Sequence, residues 1–128
     1  LTIQCSSAQE INKDDYQDTI IGKWRLLSYD KTLEEYVESE DYLVFKANNI
    51  LEEYEGNTLT GTLNYQISFS ENINNGNTIK LASIKITDTE DGSSDTYQLD
   101  ISLEENSVMN FTLEAQGTSV ISLYKKVE

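Results

Sequence analysis

The chain contains no histidine and no proline among its 128 residues, with one cysteine (Cys5), one tryptophan (Trp24) and one arginine (Arg25). Without histidine it lacks the commonest general base and the commonest transition-metal ligand. A single cysteine cannot form an intrachain disulfide. Because proline is missing, no candidate strand is interrupted by a residue that cannot donate a backbone hydrogen bond.

Basic residues are also scarce, and the formal net charge at pH 7 is -14. A protein that binds nucleic acid needs a basic surface to displace counterions from phosphates. We therefore expect no nucleic-acid partner. An anionic membrane surface is equally disfavoured, so a lipid anchor is the one route to a membrane that we expect.

The first 19 residues are polar and only weakly patterned. We predict that residues 1–19 form an N-terminal tail with a short helical turn around Asp14–Ile20, and that residues 20–128 form one domain. A chain of this length normally forms a single domain with its own core.

Alternation of apolar and polar residues dominates the rest of the chain and is typical of strands with one buried face. Strands are predicted at Gly22–Tyr29, Tyr42–Lys46, Ile50–Glu55, Thr58–Ser70, Thr78–Asp88, Thr96–Leu103, Val108–Ala115 and Ser119–Lys126. The connections are short, and Asn75-Gly76 is a strong hairpin signal. We predict an all-β fold, an eight-stranded antiparallel up-and-down barrel, because eight strands close a small barrel and remove the exposed edges.

Two details of this pattern lead to further expectations. The apolar positions change phase after Leu81, which predicts a β-bulge near Ala82-Ser83. The acidic stretch Asp30–Asp41 is interpreted as a solvated connection, with one helical turn or a mobile loop over a barrel mouth as the alternatives.

The carboxylates do not form a recognisable catalytic or metal site. In Asp88–Asp95 the glycine stands fifth in the loop rather than sixth, and no glutamate closes it, so a hairpin turn is favoured over a calcium loop. Glu34, Glu35, Glu52 and Glu53 are interpreted as solvated surface. A serine nucleophile would need an adjacent base. We expect no enzymatic activity, no cofactor and no metal.

The motif Gly22-x-Trp24 at the first strand, followed by seven further strands, resembles the opening of lipocalins within the calycin superfamily. The similarity is greatest to the short lipocalin-like domains of bacterial lipoproteins. This resemblance implies that a basic residue of the last strand, Lys125 or Lys126, packs across the tryptophan. Fatty-acid-binding proteins are the nearest alternative family, but their interior Arg-x-Tyr pattern is replaced by Ser122-x-Tyr124.

The segment Leu1-Thr2-Ile3-Gln4-Cys5-Ser6-Ser7 resembles the processing site of bacterial lipoproteins. That resemblance implies lipid attachment at Cys5 and a location in the bacterial cell envelope, periplasmic or surface-facing. The alternative is a free thiol on the tail.

The expected function is the binding of a small apolar or amphipathic ligand inside the barrel of a monomeric protein. The predicted ligand-binding residues are Trp24, Leu26, Leu63, Tyr65, Ile67, Phe69, Leu99, Ile101 and Phe111. In the alternative hypothesis these residues fill a narrow barrel, and the protein is a non-enzymatic interaction or scaffold domain of a surface lipoprotein.

Overall fold

The computed structural model describes residues 15–102, 108–115 and 118–127, which form a short helix and a closed antiparallel barrel. The elements are α1 (Tyr16–Thr19), β1 (Gly22–Asp30), β2 (Glu35–Phe45), β3 (Ile50–Glu55), β4 (Thr58–Asn74), β5 (Asn77–Asp88), β6 (Ser94–Ser102), β7 (Val108–Ala115) and β8 (Thr118–Lys126). Each strand pairs with the next one, and β1 also pairs with β8, where Trp24 lies opposite Lys126. The predicted eight-stranded up-and-down barrel is confirmed.

Inward-facing residues of all eight strands meet in one hydrophobic core, as the period-two pattern predicts. The fully or almost fully buried members are Tyr16, Ile20, Trp24, Leu43, Phe45, Leu51, Tyr65, Ala82, Ile84, Leu99, Ile101, Met109 and Phe111. In the described part of the chain, no helix has the length and apolar character needed to span a bilayer.

Helix α1 closes one end of the barrel, which we call the base. Tyr16 is 3% exposed, and its hydroxyl accepts a 3.1 Å hydrogen bond from the backbone N–H of Ile101. The indole N–H of Trp24 donates to the carbonyl of Ile20 at 2.8 Å. The predicted helical turn is therefore present. Its residues pack in the same core as the strands, although they precede Ile20, where we expected the domain to begin.

Lys126 is the basic residue that covers Trp24. Its Nζ lies 5.4 Å from the centroid of the tryptophan ring and donates to the carbonyl of Thr19 at 2.9 Å. Partial burial lowers the pKa of this ammonium group below its usual value. The lysine thus joins the last strand to the helix and to the first strand.

The hairpin formed by β4 and β5 extends beyond the barrel. β3 pairs with β4 only as far as Asn64, and β6 pairs with β5 only as far as Ser83. We call residues 69–81 the β4–β5 ribbon. The turn at its tip has positive φ at Asn75 (53°) and Gly76 (80°), as the Asn-Gly signal predicted.

The predicted bulge at Ala82-Ser83 is wrong. β4 and β5 pair in unbroken register from Leu63 opposite Asp88 to Asn74 opposite Asn77. The apolar pattern changes phase because the ribbon lies beyond the core, where neither face needs to be buried. Ile79 accordingly lies 41% exposed.

The prediction that the whole of Asp30–Asp41 is an irregular or helical connection is also wrong. Only the turn around Glu34, which has a φ of 54°, connects β1 to β2. β2 begins at Glu35 because its backbone pairs with β1, and its acidic side chains remain in solvent. Glu38 lies near two cations, 3.7 Å from Nε of Arg25 and 3.4 Å from Nζ of Lys125.

Candidate functional site

A cavity of about 270 Å³ occupies the end of the barrel opposite α1. Ile101, near the end of β6, contacts the helix, whereas Ser94 and Asp95, at its beginning, line the cavity. The complete lining is Leu43, Leu51, Glu53, Leu63, Ile86, Asp88, Ser93, Ser94, Asp95, Tyr97, Phe111, Ser122 and Tyr124. The barrel is thus filled at its base and hollow towards its mouth.

The floor of the cavity is apolar and continuous with the buried core. Leu43, Leu51 and Phe111 line it and are at the same time members of the buried core, while Leu63 and Ile86 pack against that core. Such a surface can bury hydrocarbon without leaving a polar group unsatisfied.

Three aromatic rings form one wall. The ring centroid of Phe111 lies 5.5 Å from that of Tyr97 and 5.3 Å from that of Tyr124. Burial, with nearby carboxylates including Glu53 adding to it, raises the pKa of Tyr124 to about 12. Its hydroxyl is therefore neutral at physiological pH and can donate or accept a hydrogen bond.

Glu53 is the one described carboxylate whose charge raises the pKa of both tyrosines of this wall, in addition to burial and, for Tyr97, the charge of Asp95. It follows Leu51 by two positions in β3, so its side chain lies on the inward face of the barrel. Gly61, its partner on β4, makes room for it, since a Cβ atom at Gly61 would lie only 3.0 Å from Oε1 of Glu53. The side chain remains accessible at the mouth, yet partial burial of the carboxyl raises its pKa, and the nearby Asp88 raises it further.

A second hollow of about 240 Å³ adjoins the cavity. Leu43, Glu53 and Tyr124 line both spaces. Its other walls include Leu26 and Asp41. Glu53 and Tyr124 therefore stand where the two hollows meet.

No three histidine, cysteine, aspartate or glutamate side chains of the described residues are placed to hold a metal ion together. In the turn between β5 and β6, the Asp91 carboxylate accepts hydrogen bonds from the backbone N–H (2.8 Å) and the hydroxyl (2.7 Å) of Ser93. These bonds lower the pKa of Asp91. The Asp91 carboxylate thus stabilises the turn.

The nine predicted ligand-binding residues fall into three places. Leu63 and Phe111 line the cavity, and Leu26 lines the adjoining hollow. Trp24, Tyr65, Leu99 and Ile101 are buried in the core below the cavity, and Ile67 packs against that core. Phe69 is 40% exposed on the β4–β5 ribbon, with the ammonium of Lys80 5.0 Å from its ring centroid.

The polar part of the lining was not predicted from the sequence. Glu53, Asp88 and Asp95 were assigned to solvated surface or to a turn, although each lies two positions from an apolar inward residue. The alternation of Leu51 with Glu53, of Ile86 with Asp88 and of Asp95 with Tyr97 was the available signal. The alternating pattern also placed Tyr97 and Tyr124 on the inward face, but they were not among the predicted ligand-binding residues.

Cys5, the predicted lipid-attachment residue, lies outside the described residues. Comparison of the sequence with protein-family models and with curated proteins yields no match.

Proposed function

We propose that this protein is a non-enzymatic binding protein that holds a small apolar or amphipathic ligand in the cavity at the mouth of its barrel. The observation that carries the proposal is the apolar floor of a cavity that opens at the mouth of the barrel and ends on the packed core. A preformed concave site of this kind binds a ligand without a large ordering cost.

The cavity volume limits the size of the ligand. A cavity of about 150 Å³ holds benzene, so about 270 Å³ corresponds to a molecule of about ten non-hydrogen atoms. The adjoining hollow offers room for a further substituent beyond Glu53 and Tyr124. A fatty acid of ordinary length is larger than this space.

We further propose a lipocalin-like domain attached to the bacterial cell envelope through Cys5. Support comes from the closed eight-stranded barrel, from Trp24 at its base and from Lys126 placed across the indole ring. The serine-flanked Cys5 supports the anchor.

The second candidate function is an interaction or scaffold domain. The observation that favours it is the β4–β5 ribbon, on which Ile73 is 80% exposed and Phe69 and Ile79 are also accessible. Exposed apolar residues grouped on one projecting element are typical of protein contact sites.

Binding of 1-heptanol, measured by calorimetry and ligand-observed NMR on the full chain, tests the first candidate. Leu63→Trp places a bulky ring in the cavity and should weaken binding by about tenfold or more. Leu59→Trp, at a half-exposed position of the same strand outside the lining, is the matched control and should bind like the parent protein. If 1-heptanol does not bind, and its charged analogues heptylammonium and heptanoate do not bind either, the cavity proposal is wrong and the interaction domain is favoured.

A further inference from the structure

Every ionisable side chain that lines the cavity, tyrosines apart, is a carboxylate. Glu53, Asp88 and Asp95 line it, and Asp41 lines the adjoining hollow. Neither described lining contains a lysine or an arginine. Lys126, which is also in inward phase, lies at the base with its Nζ on the carbonyl of Thr19.

The aromatic wall also favours a cation, for a reason that is independent of the carboxylates. The faces of aromatic rings attract ammonium ions, and several rings around one space form the usual site for substituted ammonium groups. Along the wall, the ring of Phe111 lies between those of Tyr97 and Tyr124. The charge of Glu53 acts on both tyrosines. A cation beside Glu53 would thus meet a carboxylate and aromatic rings together.

Glu53 lies opposite Gly61, where the fold leaves space for a carboxylate. Its carboxylate uses the space that the missing side chain of Gly61 leaves, on the inner face of two paired strands. Of the ion pairs found among the described residues, none involves Glu53. By contrast Glu52, on the outer face of β3, is paired with Lys46 at 3.0 Å.

We infer that the cavity selects an organic ammonium ion with a short apolar chain, its cationic group between Glu53 and the rings of Tyr97 and Tyr124, and its chain on the leucine-lined floor. This inference rests on the proposed function and adds the charge of the ligand to it. The bound cation offsets the repulsion between the clustered carboxylates. Binding of the cation therefore also stabilises the folded state, in which these carboxylates lie close together.

Three probes of one chain length separate charge from apolar burial. Heptylammonium, 1-heptanol and heptanoate are titrated calorimetrically into the full chain at pH 7 and low ionic strength. We expect heptylammonium to bind about tenfold more tightly than heptanol, and heptanoate to bind most weakly, because an ion pair near the protein surface is screened but not lost. Added salt should reduce the advantage of heptylammonium.

Two variants locate the effect. Glu53→Gln keeps the shape of the side chain and should abolish most of the preference for heptylammonium while leaving heptanol affinity within about twofold. Gly61→Ala adds a Cβ atom 3.0 Å from Oε1 of Glu53 and should reduce the same preference by displacing the carboxylate. Glu35→Gln removes one charge at an exposed position outside both linings and serves as the control, with no effect expected.

The failures of the two proposals are distinguishable. If heptanol and heptanoate bind as tightly as heptylammonium, or if Glu53→Gln leaves the preference intact, the charge inference is overturned while the cavity remains a binding site. If none of the three probes binds, the proposed function itself fails.

Discussion

Trp24 is the single residue on which the base of the barrel most depends. It is 0% exposed, it donates a hydrogen bond to the carbonyl of Ile20, and Lys126 lies over its ring. The one tryptophan of the chain thus joins the helix, the first strand and the last strand.

Trp24→Ala should destabilise the fold by about 3–5 kcal/mol, the usual loss for truncation of a buried large aromatic residue. Urea unfolding followed by circular dichroism measures this free energy. A loss well below about 1 kcal/mol would mean that the tryptophan does not organise the core.

Glu53 has a raised pKa, which lowers the stability of the folded protein at neutral pH. Its pKa is raised in the folded state by burial and by Asp88, while Asp41, Tyr97 and Tyr124 also line the space that it faces. The unfolded chain therefore ionises at this residue first as the pH rises. The wild-type protein loses stability between the ordinary pKa of a glutamate and the raised one, and does not regain it at higher pH.

Glu53→Gln should accordingly be more stable than the wild type at pH 7, by no more than about 1 kcal/mol because the carboxyl is partly solvated. The difference should disappear below the ordinary pKa of a glutamate, where both proteins are neutral at this position. Parallel unfolding curves from pH 3 to pH 8 provide the measurement. An equal or greater advantage at pH 3 would show that the negative charge of Glu53 is not what destabilises the wild-type protein.

At the scale of elements, β4 combines two environments in one uninterrupted strand. Its alternation is regular from Leu59 to Phe69, which led to the expectation of one continuous buried face. The structure buries only the central part, because the pairing of β4 with β3 stops at Asn64 and the pairing of β5 with β6 stops at Ser83. An alternating pattern therefore predicts the strand but not the point at which its neighbours stop.

A matched pair of isoleucines tests this division. Ile84→Ala, at a fully buried position of β5, should cost about 2–5 kcal/mol. Ile73→Ala, on the β4–β5 ribbon, should change the stability by less than about 0.5 kcal/mol, because its side chain is 80% exposed. Comparable losses in urea unfolding would show that the ribbon packs against another part of the molecule in solution.

At the scale of the whole molecule, the net charge and the barrel have separate roles. Most of the acidic side chains that the structure describes are exposed, where their charge favours solubility. The few that face inward are concentrated at the open end of the barrel, with the core between them and α1. The asymmetry between base and mouth, more than the total charge, sets the negative charge around the cavity.

The proposed location of the whole molecule rests on lipid attachment at Cys5. In the full-length precursor expressed in a bacterial host, Cys5→Ser should move the protein from the membrane fraction to the soluble fraction, because a lipid on the cysteine is the proposed attachment. Fractionation followed by immunoblotting measures the distribution. Unchanged partitioning would remove the lipoprotein proposal.

Much of the fold followed from the sequence by itself because strand formation is a local property. Period-two alternation, Asn75-Gly76 and the Gly22-x-Trp24 opening predicted eight strands and their order. Asp30–Asp41 and Ala82-Ser83 were misjudged because their structure depends on strand pairing and on distance from the core, which no local pattern records.

Only the tertiary structure decided which inward residues line a space and which fill the core. Leu63 and Leu99 are equally apolar in the sequence, yet Leu63 borders the cavity and Leu99 is completely buried. Likewise Glu52 and Glu53 are adjacent and chemically alike, but one pairs with Lys46 outside the barrel and the other faces the cavity beside Gly61. The reason is physical, since a cavity is formed by the register and lengths of all eight strands together, whereas alternation is a property of each strand alone.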